Sequence, residues 1–260
     1  MTLQHENAVT RSFAPQAEAY LTSHVHATGR DLELLAEAIS EAPDAKVLDL
    51  GCGAGHASFA VASASAEVMA YDLTDSMLRV VERAVADRGL TNVRTALGSV
   101  EKLPFASASF DWVISRYSAH HWRNLDLAMA EIARVLRPGG QVCLIDVLGG
   151  PEPLLDTHLQ AAEVLRDSSH VRNYTESEWL DFFRRHALVA QVVLRWRLPI
   201  EFASWIARIG TAAPRVAAIR ELWSGAPTEV REHYSVGGDF SFELDAVMLR
   251  ASKAGDPANN

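Results

Sequence analysis

Residues 47–56 read VLDLGCGAGH, and this stretch decides the fold. Val47 to Leu50 form a short, mostly apolar strand that stops at Gly51. Gly53 and Gly55 follow, and a run of small residues (HASFAVASASA, 56–66) then reads as a helix. Without side chains, the backbone of such a loop can come close to a ligand. In an open α/β sheet these turns lie at the carboxyl ends of the strands, where ligands bind. Asp72 stands 21 positions after Gly51, at the end of the next strand. A carboxylate there can accept hydrogen bonds from both ribose hydroxyls. A tight turn that binds nothing shares the glycines, but it gives no reason for Asp72.

Two kinds of ligand use this geometry. A dinucleotide loop reads G-x-G-x-x-G, with the third glycine packing against the sheet. Here His56 occupies that third position, so the spacing is G-x-G-x-G, with Asp49 two residues ahead of Gly51. Asp49 would repel a pyrophosphate and attract an ammonium group. A nucleoside with an amino-acid tail and no phosphates, as in S-adenosylmethionine, satisfies both conditions.

Working outward, strands and helices alternate from about residue 30 to 150. Helices are expected over 31–40, 56–66 and 76–89, the last with Thr74 or Asp75 as cap and Gly89 as stop. Strands are expected over 46–51, 67–73, 92–98, 110–117 and 141–148. Between the last two, Leu125, Ala128, Ile132 and Val135 share one helix face, which Pro138-Gly139-Gly140 ends. Continuous apolar strands alternating with helices indicate a parallel sheet covered on both faces. Beyond 150 the rhythm changes. A helix is expected over 153–167 and a loop over 167–174. Thr175 and Glu178 have capping-box spacing for a helix to about His186. Strands are expected at 188–200 and 240–252, with short helices between them. The expectation is a Rossmann-like, doubly wound, mostly parallel seven-stranded α/β sheet with an antiparallel C-terminal edge strand and a helical cap. One domain spans 1–260, its core about 30–150 plus 187–252, its cap about 1–29, 151–186 and 201–236.

Composition narrows the function classes. The chain has 260 residues, 48% of them hydrophobic, and a net charge of −9. That balance opposes a surface built to hold nucleic-acid phosphates. No apolar stretch reaches a membrane span. The opening MTLQHENAVTRSFAPQ lacks the apolar core of a signal peptide. Cys52 and Cys143 do not suggest a disulfide framework. A cytoplasmic protein with no membrane or nucleic-acid partner is expected; oligomeric state is not legible.

The runs VLDLGCGAGH (47–56), AYDLTDSML (70–78), EKLPFASASFDWVISRYSAHHW (101–122) and LRPGG (136–140) resemble class I S-adenosylmethionine-dependent methyltransferases. The likeness is to the ubiquinone/menaquinone-biosynthesis C-methyltransferase-like group and its YafE-type bacterial branch. The motifs cover about residues 46–148. The resemblance implies S-adenosyl-L-methionine as cofactor and S-adenosyl-L-homocysteine as product. It puts Asp49 and the Gly51 backbone at the methionine part, with Gly53 and Gly55 keeping the loop open. Cys52 lies within that loop and suits a small packing residue. Asp72 would bind the ribose, and Leu73 and Met77 would sandwich the adenine. At Gly98-Ser99-Val100 the family often carries an acid where Ser99 stands. The adenine edge then falls to Ser99, Val100, Glu101 or nearby backbone. Arg116 would sit by the methionine and methyl region. Tyr20 and His26 belong to a segment, AYLTSHVHATGRDL (19–32), that commonly closes over the cofactor.

Methyl transfer to a small-molecule acceptor mainly requires alignment and exclusion of water. A base is needed only if the acceptor must lose a proton. His120 and His121 are the catalytic candidates, since imidazole titrates near neutrality. The alternative is a helix cap and a solvent-exposed ring. Adjacent histidines are expected to point apart. Tyr117, His170, Arg172 and Tyr174 are substrate candidates, with Arg172 equally able to pair with a carboxylate at the surface. Trp196, Trp205 and Trp223 fit core packing better than a pocket wall. No metal site is expected, because no Glu or Cys accompanies the histidine pair at ligand spacing. The competing readings are a non-catalytic module that binds the adenosyl ligand and an NAD(P)-dependent oxidoreductase. A nucleic-acid methyltransferase would carry an N-P-P-Y-type motif where Ser115-Arg116-Tyr117-Ser118 stands.

Overall fold

The structure, a computed structural model, describes residues 2–21 and 28–255. It opens with α1 (Thr2–Phe13), a short 3-10 turn (Ala14–Gln16) and α2 (Ala17–Leu21). The alternating part follows as α3 (Arg30–Ser40), β1 (Lys46–Leu50), α4 (His56–Ala62), β2 (Glu67–Asp72), α5 (Asp75–Asp87) and β3 (Val93–Leu97). Next come β4 (Phe110–Arg116), a 3-10 turn (Ala119–His121), α6 (Leu125–Val135) and β5 (Leu136–Val147). The last third contains α7 (Pro153–Arg166), α8 (Glu176–Arg185), β6 (Leu188–Ile200), α9 (Phe202–Ala207), α10 (Ala213–Ser224), α11 (Thr228–His233) and β7 (Phe242–Lys253).

The seven strands form one sheet in the order β3-β2-β1-β4-β5-β7-β6. β1 to β5 are parallel, and β7 runs antiparallel to both neighbours. The antiparallel end is as expected, with β7 slotted inboard so that β6 is outermost. β5 begins five residues early, because Leu136 pairs with Phe110 before a register shift carries Pro138-Gly139-Gly140 into the strand. Thr175 and Glu178 form the expected capping box.

Alternation along the strands loads both faces. Leu48 and Leu50 pack with Met129 and Ile132 of α6 and Trp179 and Phe183 of α8. Val47 packs on the other face with Leu35 and Ile39 of α3, Val61 of α4 and Val81 of α5. Both sets are essentially inaccessible to water, which is why β1 reads as an apolar strand broken only by Asp49. Trp205, Trp223, Tyr234 and Phe242 build a separate aromatic core under the C-terminal helices. Those tryptophans therefore pack, as the sequence favoured, and Trp196 lies half-buried against the second face.

The strand order reverses at β1, which has β2 on one side and β4 on the other. In such sheets the carboxyl ends at this switch point open a crevice. The glycine loop leaves β1 there and Tyr117-Ser118 leaves β4 there. The buried Ser115 hydroxyl donates to the Leu50 carbonyl at 2.7 Å and ties the two strand ends together.

Candidate active site

The glycine loop is fastened to the end of β2. The Gly51 and Cys52 amides donate to the Tyr71 carbonyl at 2.8 and 3.1 Å. The Gly53 amide donates to Asp72 Oδ2 at 2.9 Å, and the Thr74 amide to Asp72 Oδ1 at 2.8 Å. Burial raises the Asp72 carboxyl, and these backbone N–H groups act in the opposite direction. Gly51 and Gly53 adopt left-handed backbone, with φ of +64° and +51°. A Cβ on Gly53 would meet nothing within 4 Å. A Cβ on Gly55 would press on Phe59 and Val81, so Gly55 serves helix packing and does not hold the loop open.

Beside this loop lies a cavity of about 1120 Å³, including solvent at its mouth. Of the cofactor candidates, Tyr20, Asp49, Gly51, Cys52, Gly53 and Asp72 line it. Leu73, Met77, Ser99, Val100, Glu101 and Arg116 line it too. Gly55 is not among its lining residues, and His26 lies outside the described residues. Gly98 has a steric role: a Cβ there would fall 2.0 Å from the Tyr71 hydroxyl, which donates to the Ser99 carbonyl.

Asp49 sits at the cavity floor and is 1% exposed. Its Oδ2 accepts from the Ser58 hydroxyl at 2.6 Å, whereas its Oδ1 is buried with no hydrogen-bond partner. Burial pushes this carboxyl up to about 7, against the Ser58 hydrogen bond. Nearby, the buried Arg116 guanidinium pairs with Asp31 at 2.5 Å. The floor thus offers an acid with an open acceptor beside a held cation.

The two histidines part company. His121 lines the cavity; its Nδ1 lies 3.1 Å from the Ser169 carbonyl. A carbonyl only accepts, so Nδ1 carries the proton and Nε2 is the basic atom. Burial, with His120 beside it, draws the ring down to about 3, so it is neutral at physiological pH. His120 is not a cavity residue. Its Nδ1 donates to Asp146 Oδ1 at 2.6 Å, and its carbonyl accepts from the Val171 and Arg172 amides. Burial opposes its protonation, but Asp146 outweighs burial and raises it. Of the two catalytic candidates, the structure thus sets His121 on the cavity and His120 behind it, its ring held by a buried carboxylate of strand β5. The rings also do not point apart: their centroids are 4.3 Å from each other.

The remaining substrate candidates divide similarly. Tyr117 lines the cavity with φ of +51°, an unusual backbone for a bulky residue. His170, Arg172 and Tyr174 lie outside the lining and are corrected to structural roles. His170 Nε2 donates to Gln160 at 2.9 Å, and burial keeps the ring neutral. Arg172 pairs with Asp156 and Glu178, and Tyr174 packs edge-on against Trp179 and Phe182. Among the described residues no group of three or more His, Cys, Asp or Glu is placed to hold a metal ion.

The wall that sequence reasoning missed is α1. His5, Glu6, Val9 and Phe13 line the cavity, with Ser118, Trp122 and Arg123 opposite. His5, Val9 and Phe13 are spaced i, i+4, i+8, one helical stripe, and that spacing was the available signal. The roof is fastened by His56 Nε2, which donates to the Tyr20 carbonyl at 2.9 Å.

A family model described as a methyltransferase domain matches residues 48–144. The uncharacterized protein YafE of Escherichia coli is 43% identical over 204 residues, 78% of this chain and 99% of that protein. The uncharacterized methyltransferase YcgJ of Bacillus subtilis is 36% identical over 246 residues, 93% of this chain and 97% of its own. The crystal structure of YcgJ superposes with a TM-score of 0.83, at 34% identity, covering 87% of this chain and 99% of that one. A malonyl-[acyl-carrier protein] O-methyltransferase of Pseudescherichia vulneris is 31% identical over 197 residues, 76% of this chain and 71% of that protein.

Proposed function

Because the chain belongs to the class I S-adenosylmethionine-dependent methyltransferases, we propose that it methylates a small-molecule acceptor held under α1, with the His121 ring at its border. Membership sets aside the oxidoreductase and the non-catalytic module. The cofactor supplies an electrophilic methyl carbon on a sulfonium. The buried, unpartnered Oδ1 of Asp49 fits its ammonium group, and Arg116, held by Asp31, fits its carboxylate. Asp72 suits the ribose hydroxyls. Leu73, Met77, Val100 and the Ser99–Glu101 edge suit the adenine, with Cys52 and Gly53 leaving room at the loop and Tyr20 above it. Tyr117 and the neutral His121 ring then border the acceptor.

The observation that carries the small-molecule reading is the roof. α1 crosses the cavity and brings Val9 and Phe13 against it, which excludes water and leaves room for a compact acceptor. The net charge of −9 supports a partner other than nucleic acid. Free, buried Cys52 and Cys143 suit a reducing cytoplasm. Among the described residues no helix is long and apolar enough to cross a membrane. Core and cap together are taken as one methyltransferase domain. The test is incubation of the full chain with methyl-labelled S-adenosylmethionine and a cell extract separated by size. Label is expected in low-molecular-weight products; label confined to protein or nucleic acid would overturn the small-molecule reading.

Asp49 gives a pH-dependent expectation. Its folded value of about 7 lies above the ordinary carboxyl value of 3.8. The folded state therefore binds this proton more tightly than the unfolded chain does. The stabilisation is full below the ordinary value and lost as pH rises through about 7. Without ligand, Asp49→Asn should remove this decline in melting temperature between about pH 4 and 7. S-adenosylhomocysteine carries the ammonium that pairs with the ionised acid, so its affinity should rise over the same window in the wild type and stay flat in the variant. Calorimetry at several pH values checks this; parallel curves for both proteins would exclude Asp49 as the ammonium partner.

A further inference from the structure

Three residues of α1 converge on one place behind the cavity. His5 Nε2 donates to the His121 carbonyl at 3.0 Å. Phe13 meets the His121 ring edge-on, with centroids 5.0 Å apart. Between them in sequence, the Ser12 hydroxyl donates to Asp167 Oδ1 at 3.0 Å. Asp167 follows the last turn of α7 and is 1% exposed.

Asp167 is used unevenly. Its Oδ1 also accepts from the Ser169 amide and hydroxyl, at 2.8 and 2.7 Å. Its Oδ2 is buried without a hydrogen-bond partner and lies 3.9 Å from Nε2 of His121. Leaving such an oxygen unsatisfied costs free energy unless a donor arrives. Burial alone would raise this carboxyl, but the hydrogen bonds from Ser169 and Ser12 act against it, and the group lies below its ordinary value. The basic nitrogen of His121 is the nearby group that becomes a donor once it takes up a proton. The segment after α7 also holds the ring from the other side, through the Ser169 carbonyl.

We propose that Asp167 is a positioning residue through which closure of α1 over the cavity sets the His121 ring. With α1 down, Ser12 and Ser169 fix one carboxylate oxygen and leave the other opposite the basic edge of His121. With α1 lifted, Asp167 loses Ser12, His121 loses Phe13 and His5, and water reaches both groups. Closure thereby links cofactor retention to the electrostatic setting of the imidazole. The other groups facing the ring are His120 on its own turn, His170 after α7 and Asp146 on β5. This proposal rests on the reading of the cavity as the S-adenosylmethionine site, but it does not require the acceptor to be known.

The test uses the full chain, histidine labelled with nitrogen-15, and S-adenosylhomocysteine as probe. The His121 signal is assigned by its loss in His121→Gln. Ser12→Ala should speed dissociation of S-adenosylhomocysteine several-fold and shift the bound-state His121 ring resonance. Asp167→Asn should do both, with the ring taking up a proton less readily because the carboxylate charge is gone. In the double variant the effects should be less than additive, since both act through one bond. Ser12→Thr, which keeps a hydroxyl, should restore wild-type behaviour. Faster release with an unmoved His121 resonance in Ser12→Ala, or fully additive effects, would overturn the proposal. If Asp167→Asn does not fold, Ser12→Ala and Ser12→Thr decide alone. Failure of the wild type to bind the probe would instead overturn the cofactor reading beneath it.

Discussion

Asp72→Ala is expected to weaken binding of S-adenosylhomocysteine by about 1–3 kcal/mol, roughly 5- to 150-fold in Kd. The side chain has two duties at once. It accepts the amides of Gly53 and Thr74, which pins the glycine loop to the start of α5. It also lines the cavity, where the proposed ribose would meet it. Asp72→Asn should lose nearly as much, because one oxygen becomes an NH2 group facing a backbone N–H donor. Calorimetry separates the duties if it is paired with a ligand-free melt. A lower melting temperature with unchanged affinity would leave Asp72 only its loop-fastening role. A large affinity loss with little change in melting would put most of its contribution on the ligand.

The parallel core was legible because its forces are local and periodic. β1 carries apolar residues to both faces, and that pattern has few other solutions. The glycine loop and Asp72 were placed by their spacing: a left-handed turn at the end of β1 favours glycine, and the next strand end brings Asp72 to the same cavity. The difference between His120 and His121 was not legible. It depends on Asp146, 26 residues further on and brought to His120 by the pairing of β4 with β5. His170, Arg172 and Tyr174 looked like a substrate-holding loop because polar and aromatic residues cluster there. In the folded chain, Gln160, Asp156, Glu178 and Trp179 satisfy them first. The roof was half legible: Tyr20 was identified, but the His5-Val9-Phe13 stripe lies in a helix whose polar surroundings mask its period.

Gly51→Ala should have the largest combined effect, about 2–5 kcal/mol of stability together with loss of cofactor binding. At φ of +64° a β-carbon already meets backbone strain. It would also fall 1.8 Å from Ser118 Oγ and 2.7 Å from Ser118 Cβ. The hydroxyl can rotate only by abandoning Trp122, whose Nε1 donates to it at 3.2 Å, and the Cβ cannot rotate away at all. Ser118 must therefore move, and it joins Tyr117 to the turn that carries His121. Gly53→Ala is the matched control. It carries similar strain, at φ of +51°, but its β-carbon has open space in the direction of the cavity. Its cost should be about 1 kcal/mol in stability, with the main loss in cofactor affinity. For a chain of this length each kcal/mol corresponds to about 2–4 °C. Gly51→Ala should thus melt about 5–15 °C below the wild type, and Gly53→Ala only a few degrees below it. Equal melting temperatures for the two variants would show that backbone strain alone, and not collision with Ser118, fixes glycine at position 51.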